Sequence, residues 1–402
     1  MAEITTSQIG NGTTAYGSDI VVKDLDLDVS NRVKDDTPVL NMCMSKKRKV
    51  NSTLPLWTDD IYRAPAVQAQ ATIRWRLASS FPKSLDTIHG AADTFAKAVK
   101  AMSGGKFEIS VHAAGEIMPA FGVVDGVQQG SVEMAHTAPY YFFGKDETFA
   151  FDCAIPFGLN CRQQNAWMFD GNGLKLTREF YANYNVVNFP LGNSGAQMGG
   201  WFRKEVKGLE DLKGLKFRVG GFGGKILEQL GVVPQNLPAG EIYQSLEKGT
   251  IDAAEWIGPY DDLKLGLYKV AKNYYYPAFW EGGAQLSLYV NSKAYQSLSS
   301  EYKAILDTAA NYAHTHVMAR YDARNPSALR ELVANGVRLH RLPKPVMDAA
   351  FKVSQDYYAE LSSKNPRWKK IYADFSNFRR DQNLWFRFSE MSFDNFMQSQ
   401  KL

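Results

Sequence analysis

The stretch LKFRVGG, residues 215–221, starts the pattern that decides the fold of this 402-residue chain. Its apolar residues alternate with basic ones, as in a β-strand with one buried face, and two glycines end it. The chain continues with helical spacing over 224–230, a strand at 232–237, a helix at 240–248 and a strand at 251–256. This alternation predicts parallel strands joined by helices, which is an α/β fold.

The same alternation of elements is present earlier in the chain. Residue patterns predict strands at 72–78, 107–111 and 131–136. Helical spacing predicts helices at 85–102 and 123–129. Two blocks of this kind predict two lobes, each built around its own sheet.

Short sequence motifs, which we call words, recur between the two blocks. AGEI at 114–117 returns at 239–242, and GSVEMA at 130–135 is matched by GTIDAA at 249–254. The glycine that opens each six-residue word follows a predicted helix, where a left-handed residue commonly ends the helix. The repetition favours two similar lobes with a cleft between them, and ligands of such sheets bind beyond the carboxyl ends of the strands.

Helices dominate the rest of the chain. Residues 301–324 contain neither proline nor glycine and end before Asn325-Pro326, so they predict one helix long enough to cross both lobes. We therefore assign 72–194 with about 284–300 to lobe one, 195–283 with about 325–345 to lobe two, and 346–402 to C-terminal helices.

The C-terminal helices carry a periodic aromatic stripe. Two interpretations are open: the stripe packs a helix against a lobe, or it pairs the helix with a second copy of the chain. The stripe consists of Trp368, Tyr372, Phe375, Phe378, Trp385 and Phe388.

The first residues, 1–65, differ in composition from the rest. They are rich in Thr, Asn, Asp, Ser and Gly and include the basic run MSKKRKV at 44–50, so we expect a flexible extension. A nuclear-targeting signal is the alternative interpretation of that run. Residues 66–71 resemble the cleavage end of a secretory signal, but no apolar segment precedes them. This pattern indicates a fusion, or an upstream start, in front of an exported protein.

Composition excludes several classes of protein. The formal net charge is only +4, which gives little reason to expect a nucleic-acid partner. No apolar run is long enough to span a membrane. Cys43, Cys153 and Cys161 show no metal-ligand spacing, and Cys153 and Cys161 either pair or remain buried free thiols.

Candidate binding residues stand at the predicted strand ends. Arg218 lies inside an apolar strand, where a guanidinium is costly to bury without a partner. It either binds a ligand carboxylate through two parallel hydrogen bonds, forms an internal salt bridge, or is exposed on a strand face. Glu255, Glu281 and Gln197 offer hard oxygen ligands suited to a hard cation, although simple exposure is the alternative for Glu255.

The sequence shows no catalytic pattern. The glycine-rich run at 220–226 lacks the spacing and the hydroxyl residue of a phosphate loop, and GNSGA at 192–196 lacks the second glycine of a nucleophile elbow. His314 and His316 are two residues apart on a helix and face different ways. We therefore expect no enzyme activity; the rival classes are an enzyme acting on a small acid and a structural or assembly protein.

Four stretches, taken in order, resemble the solute-binding proteins of TRAP transporters, and most closely their α-keto acid-binding branch. They are WRLASSFPKSLD at 75–86, GAQMGGWFR at 195–203, KFRVGG at 216–221 and EWIGPYDD at 255–262. The resemblance extends from about Ile73 to Phe396. It implies a periplasmic receptor with two α/β lobes and a long helix spanning them, which delivers ligand to the membrane subunits of a sodium-driven permease.

The resemblance also implies roles for individual residues. The family's carboxylate-binding arginine falls on Arg218. A sodium ion that bridges ligand and protein would be held by Gln197, the carboxylate of Glu255 and the backbone carbonyl of Trp256, with Glu281 as a further acidic position. Calcium accepts similar oxygen ligands and is the alternative cation. The branch implies a homodimer that exchanges C-terminal helices, and its cleft-lining aromatic positions fall on Phe81, Tyr140 and Tyr141.

Charge favours one class of ligand. Arg218 offers one positive charge, and Glu255 in the same cleft would repel a second carboxylate unless a cation intervenes. We therefore expect a 2-oxo monocarboxylate such as pyruvate, bound with a bridging sodium ion. A hydroxy acid or a dicarboxylate is the alternative ligand.

Overall fold

The computed structural model describes residues 72–400, which belong to one compact unit, Gln68–Leu402. The expectations for 1–65, 66–71 and Cys43 lie outside the described residues. Cys153 and Cys161 are both free thiols, so the disulfide alternative is wrong for this pair.

Alternating and helical patterns produce the following elements in the described part of the chain. The strands are β1 (Ile73–Ser79), β2 (Phe107–His112), β3 (Met134–Thr137), β4 (Val186–Asn193), β5 (Gly200–Phe202), β6 (Lys216–Arg218), β7 (Val233–Gln235), β8 (Ala253–Ala254), β9 (Asn273–Tyr276), β10 (Gln285–Asn291) and β11 (Arg338–Arg341). The helices are α1 (Gly90–Met102), α2 (Val123–Gln128), α3 (Cys161–Phe169), α4 (Gly173–Tyr181), α5 (Gly221–Gln229), α6 (Ala239–Glu247), α7 (Pro259–Leu265), α8 (Ser292–Gln296), α9 (Ser300–Ala334), α10 (Lys344–Lys364), α11 (Pro366–Phe388) and α12 (Glu390–Ser399). Short 3₁₀ segments lie at Pro139–Phe142, Glu147–Asp152, Ala182–Tyr184, Leu209–Leu212 and Leu267–Lys269.

The first sheet, which we call lobe one, has the strand order β2-β1-β3-β10-β4. β1 pairs in parallel with β2 and β3, whereas β10 runs antiparallel to β3 and β4. Helix α1 buries Ala91, Phe95 and Val99, whose spacing of four residues places them on one face. This amphipathic helix therefore helps to bury the sheet of lobe one.

The second sheet, which we call lobe two, has the order β11-β9-β5-β8-β6-β7. β6 pairs in parallel with β7 and β8, and β5 runs antiparallel to β8 and β9. Trp201 of β5 stacks on Tyr274 of β9 with ring centroids 3.9 Å apart, and both side chains donate to Asp262. Two sheets with connecting helices confirm the predicted α/β class.

The recurring words are only partly equivalent in structure. Gly130 and Gly249 both adopt left-handed backbone, with φ of +75° and +71°, just after α2 and α6. Their predicted role as helix terminators is confirmed. The word AGEI, however, forms a turn at 114–117 and the start of helix α6 at 239–242. The recurrence of AGEI therefore does not reflect equivalent elements, because the neighbouring structure decides its conformation.

Helix α9 continues to Ala334, so the predicted end at residue 324 is wrong. Pro326 lies inside the helix and has no N–H for the carbonyl of Asp322. Asp322 and Pro326 are both exposed, so water can donate to that carbonyl instead. Ala328 and Leu332 continue the buried face beyond the proline, and their packing favours the helix over a break.

Helix α9 contacts both lobes. In lobe one, the backbone N–H of Gly192 in β4 donates to Nδ1 of His314 at 2.9 Å. In lobe two, the hydroxyl of Tyr321 donates to the carboxylate of Asp261 in α7 at 2.7 Å. One helix thus connects the two sheets on the side where β4 leads into lobe two.

The aromatic stripe of the C-terminal helices divides into two parts. Trp368 and Phe375 are buried against Phe151, with ring centroids 4.4 and 5.4 Å away, as the packing interpretation predicts. Trp385 and Phe388 are 57% and 64% exposed and take no part in that core. Within residues 72–400, no helix combines the length and the apolar content that crossing a membrane requires.

Candidate ligand-binding site

A small enclosed cavity lies between the two lobes, near the carboxyl ends of β1, β3 and β8. Lobe one and the segment after β4 provide most of the wall, and the segment after β8 closes it from lobe two. The wall is mainly apolar, and most of its polar groups come from tyrosines, a serine and an amide. It consists of Phe81, Ile88, Ala138, Tyr140, Tyr141, Ser194, Gln197, Trp256, Ile257, Ala284 and Leu286.

Arg218 ends β6 with its side chain only 1% exposed. Its Nε donates to the carbonyl of Leu237 at 3.0 Å, and its Nη1 donates to the carbonyl of Glu255 at 2.6 Å and forms an ion pair with the Glu255 carboxylate. The guanidinium also lies 5.0 Å from the ring of Trp256. Nη2 is buried without a hydrogen-bond partner among the described residues. The internal salt bridge is therefore present, while Nη2 remains available to donate hydrogen bonds to an anion.

Glu255 is fully buried, so the interpretation that it is exposed to solvent is wrong. Strands β6 and β8 are parallel neighbours with Arg218 opposite Ala254, and this register places Glu255 beside the guanidinium. Its Oε1 accepts from Arg218 and from the backbone N–H of Gly220, at 2.8 Å for the latter. Its Oε2 has no partner within the described chain.

Gln197 and Glu281 add two more oxygens of this kind. The amide nitrogen of Gln197 donates to Oγ of Ser194 at 2.9 Å, which orients the amide and leaves Oε1 buried without a partner. Oε2 of Glu281 is buried and likewise lacks a partner in residues 72–400. The two residues are adjacent in space, since the backbone N–H of Gln197 donates to the carbonyl of Glu281 at 3.2 Å.

These oxygens fit a hard cation. Buried polar atoms normally have partners, and Gln197, Glu255 and Glu281 each present one buried oxygen that has none. Carboxylate and amide oxygens are ligands that sodium and calcium accept. No group of three or more His, Cys, Asp or Glu side chains in 72–400 could hold a metal ion, so the fit depends on the amide as well as the two carboxylates.

Electrostatics at the site also favour an added positive charge. Burial raises the pKa of Glu255 to about 7, although Arg218 and the N–H of Gly220 act in the opposite direction. Burial and the charge of Glu255 raise the pKa of Glu281 well above its usual range. Two buried carboxyl groups thus share one guanidinium, and a bound cation would stabilise their ionised forms.

Aromatic side chains close the cavity. Burial, and then the charge of Glu281, raise the pKa of Tyr140 well above its usual range, so its hydroxyl remains a donor. The ring of Phe81 lies 6.4 Å from that of Tyr141 in lobe one and 6.5 Å from that of Trp256 in lobe two. Phe81 thus connects the two lobes across the cavity. These contacts keep water away from the charged groups.

Two glycines allow the lobes to approach each other. A Cβ atom on Gly220 or Gly221 would lie 2.8 or 2.6 Å from the side chain of Tyr140, too close for either residue to be larger. Gly221 also has φ of +46°, a left-handed value that favours glycine. Beside this contact, the rings of Phe143 and Phe222 lie 4.7 Å apart. We call Tyr140, Phe143, Gly220, Gly221 and Phe222 the lobe seam.

The structure brings together every residue singled out from the sequence as a binding candidate. Sequence reasoning missed five apolar residues of the cavity wall and the hydroxyl of Ser194. Ser194 directly follows a buried strand, a signal that could have been used. The remaining wall residues look like ordinary core positions in the sequence: Ile88, Ala138, Ile257, Ala284 and Leu286.

Comparisons with known proteins agree with this geometry. Residues 78–365 match the DctP family, described as bacterial extracellular solute-binding protein, family 7. The chain is 48% identical over 327 residues to the monocarboxylate 2-oxoacid-binding periplasmic protein of Nostoc sp., an alignment that covers 81% of this chain and 90% of the relative.

Solved structures show the same two-lobed architecture. A TRAP transporter solute-binding protein from Bordetella bronchiseptica, described as a mixed-occupancy dimer with calcium and picolinate, is 49% identical with a TM-score of 0.81 and covers 82% of this chain and 98% of its own. A TRAP periplasmic solute-binding protein from Pseudoalteromonas atlantica, with bound sodium and pyruvate, is 36% identical with a TM-score of 0.79 and covers 82% of this chain and 100% of its own. A third, from Colwellia psychrerythraea with calcium and pyruvate, is 36% identical with a TM-score of 0.79 and covers 81% and 99%.

Proposed function

Because this chain belongs to the DctP family of bacterial extracellular solute-binding proteins, we propose that it binds a 2-oxo monocarboxylate such as pyruvate, together with a cation, as the receptor of a TRAP transporter. The observation that carries the proposal is the combination of groups in one enclosed site. A guanidinium with an unpartnered Nη2 lies beside buried oxygens of Gln197, Glu255 and Glu281 that also lack partners.

Each group has a distinct role in this proposal. Nη2 of Arg218 donates to the ligand carboxylate, which brings a negative charge into a site that already contains Glu255. Gln197, Glu255 and the backbone carbonyl of Trp256 would hold the cation, with Glu281 nearby. A cation there would supply an attraction for oxygen atoms that favours a 2-oxo acid over a simple carboxylate. The aromatic side chains of Phe81, Tyr140 and Tyr141 exclude water from the site, and the exclusion of water strengthens these electrostatic interactions.

The cation is proposed to be sodium, with calcium as the alternative. Related proteins have been crystallised with either ion beside pyruvate. A pyridine-2-carboxylate such as picolinate is a second candidate ligand, because it also places a donor atom next to a carboxylate and is bound by a relative that is 49% identical.

Thermal unfolding of the full chain should test this function. Pyruvate with sodium at 100 times its Kd should stabilise the folded protein by about 2.7 kcal/mol, since it binds only that state. We expect a clearly smaller shift from pyruvate without sodium or calcium. Parallel titrations with picolinate, lactate and succinate distinguish a pyridine-2-carboxylate, a hydroxy acid and a dicarboxylate from a 2-oxo acid. Absence of any shift with every carboxylate and either cation would rule out the proposed receptor.

The family places this protein outside the cytoplasm, and the TRAP role implies membrane subunits as the partner that receives the ligand. We propose that the protein binds its ligand without catalysing a chemical reaction. The polar groups of the cavity bind and orient an acid, and none of them forms a nucleophile and base pair within the described residues. Unchanged pyruvate after prolonged incubation with the protein would agree with a receptor, and turnover of pyruvate would contradict it.

A second copy of the chain is the proposed partner for the C-terminal apolar surface. A relative that is 49% identical crystallised as a dimer, and contiguous exposed apolar residues usually mark an interaction site. We expect sedimentation to give twice the chain mass, and Phe393→Asp to give the single mass; a monomeric wild type would contradict the dimer. The exposed residues are Leu384, Trp385, Phe388, Met391, Phe393 and Phe396.

A further inference from the structure

Asp86 lies at the boundary between the lobes, away from the ligand cavity. It belongs to lobe one, in the segment between β1 and α1, and its side chain is 42% exposed. Phe81, a cavity residue, precedes it in the same segment. Asp86 itself does not line the cavity and contacts none of the proposed ligand-binding groups, so the proposed binding role does not explain its contacts.

Donors from two other elements converge on Asp86. Lys264 of α7 forms an ion pair with its carboxylate, and the hydroxyl of Tyr260, also in α7, donates to it at 3.2 Å. Arg320 and Arg324 of the spanning helix α9 donate at 3.1 and 2.9 Å. Burial alone would raise the pKa of Asp86, but the hydrogen bonds from Lys264 and Arg324 lower it below its usual range. The carboxylate therefore stays charged.

The charge balance makes Asp86 unusual among the ion pairs of the described chain. Each other carboxylate that forms an ion pair in residues 72–400 faces one or two basic side chains, whereas Asp86 faces Lys264, Arg320 and Arg324 together. Arg324 also donates to the hydroxyl of Tyr260 at 2.8 Å, which ties α9 to α7 at this point. Without the carboxylate, three like charges would remain close together and repel one another.

We propose that Asp86 is a positioning residue, an interlobe latch that holds lobe one against α7 and α9 and so keeps the ligand cavity closed. The contacts of Asp86 with Lys264 and Tyr260 join the two lobes directly, so rotation of the lobes away from each other breaks them. Closure also forms the lobe seam, so the latch and the seam should open together. The effect of the latch on ligand release rests on the proposed function, but its effect on closure does not.

Hydrogen exchange of the ligand-free full chain, followed by mass spectrometry, tests closure directly. In Asp86→Asn, peptides covering the seam at 138–143 and 219–223 should exchange about 3- to 10-fold faster than in the wild type, while β10 keeps its protection. Glu133→Gln is the matched control, since Glu133 pairs with Arg76 inside lobe one at 3.0 Å. Unchanged seam exchange, or an increase that extends equally to β10, would overturn the latch.

Pyruvate release gives a second, independent readout. Asp86→Asn should speed dissociation about 3- to 10-fold, because the bound acid can leave only after the lobes separate and the variant lacks a contact that holds them together. Adding Lys264→Gln should recover part of the loss, since it removes one of the three mutually repelling charges. A double variant no slower in release than Asp86→Asn would contradict the charge argument. If the wild type binds no 2-oxo acid, the proposed function fails while the exchange experiment still decides the latch.

Discussion

Pyruvate binding should weaken by about 100-fold when Arg218 is replaced by lysine. In the native site the guanidinium donates to the carbonyl of Leu237 and to the carbonyl and carboxylate of Glu255, and its unpartnered Nη2 is the group that we propose for the ligand carboxylate. A lysine ammonium has three donors on a flexible stem and cannot reach all of these groups at once. Some of them would remain buried without a partner, which also lowers the stability of the ligand-free protein.

Isothermal titration with pyruvate and saturating sodium measures this loss. Arg74→Lys is the matched control, because Arg74 is an exposed residue of lobe one that pairs with Glu108 at 3.5 Å. We expect wild-type affinity from that control. Near-normal affinity in Arg218→Lys would show that the ligand carboxylate is bound elsewhere.

Glu255→Gln should remove the dependence of pyruvate binding on sodium. Glutamine keeps the size of the side chain and an oxygen that can accept from Arg218 and Gly220, but it lacks the charge that attracts the cation. In the wild type we expect saturating sodium to strengthen pyruvate binding by at least about 10-fold, a typical coupling between two ligands. In the variant the ratio should fall to about 1, because Arg218 then neutralises the ligand carboxylate without the cation.

The ratio of pyruvate Kd values with and without sodium decides this prediction. Glu228→Gln serves as the control, since Glu228 is an exposed glutamate of lobe two that pairs with Lys225 at 2.7 Å. A sodium effect in Glu255→Gln as large as in the wild type would remove Glu255 from the cation site and leave Gln197 and Glu281 to be tested.

Local patterns were sufficient to predict most elements of both sheets. Alternation over 215–219 corresponds to β6, and helical spacing over 240–248 corresponds to α6 with a shift of one residue. The juxtaposition of Arg218 and Glu255 follows from β6 and β8 being parallel neighbours. The order of strands within a sheet is a tertiary property, so the ion pair between Arg218 and Glu255 could not be predicted from local pattern.

Tertiary packing outweighs local preference at two places in the chain. The word AGEI is a turn in one lobe and a helix in the other, although its sequence is identical. Helix α9 continues through Pro326 because the residues after it have a buried face to pack. In both cases the energy that decides the outcome comes from residues distant in sequence.

The aliphatic residues of the cavity wall could not be recognised for a different reason. Leu286 lies on the buried strand β10, and Ile88 precedes α1, where a core side chain is equally expected. A cavity residue and a core residue have the same chemistry and spacing. The two kinds of residue differ only in whether they face the gap between the lobes, and that gap is a property of the assembled fold.

The spanning helix α9 limits how the protein can open. Because α9 is anchored on β4 through His314 and on α7 through Tyr321, we expect the lobes to rotate relative to each other rather than to translate apart. The backbone hydrogen bond from Gln197 to Glu281 should keep these two residues together while Tyr140 moves away from Gly221. An entering acid would then meet a prearranged pair of proposed cation ligands before the aromatic side chains enclose it.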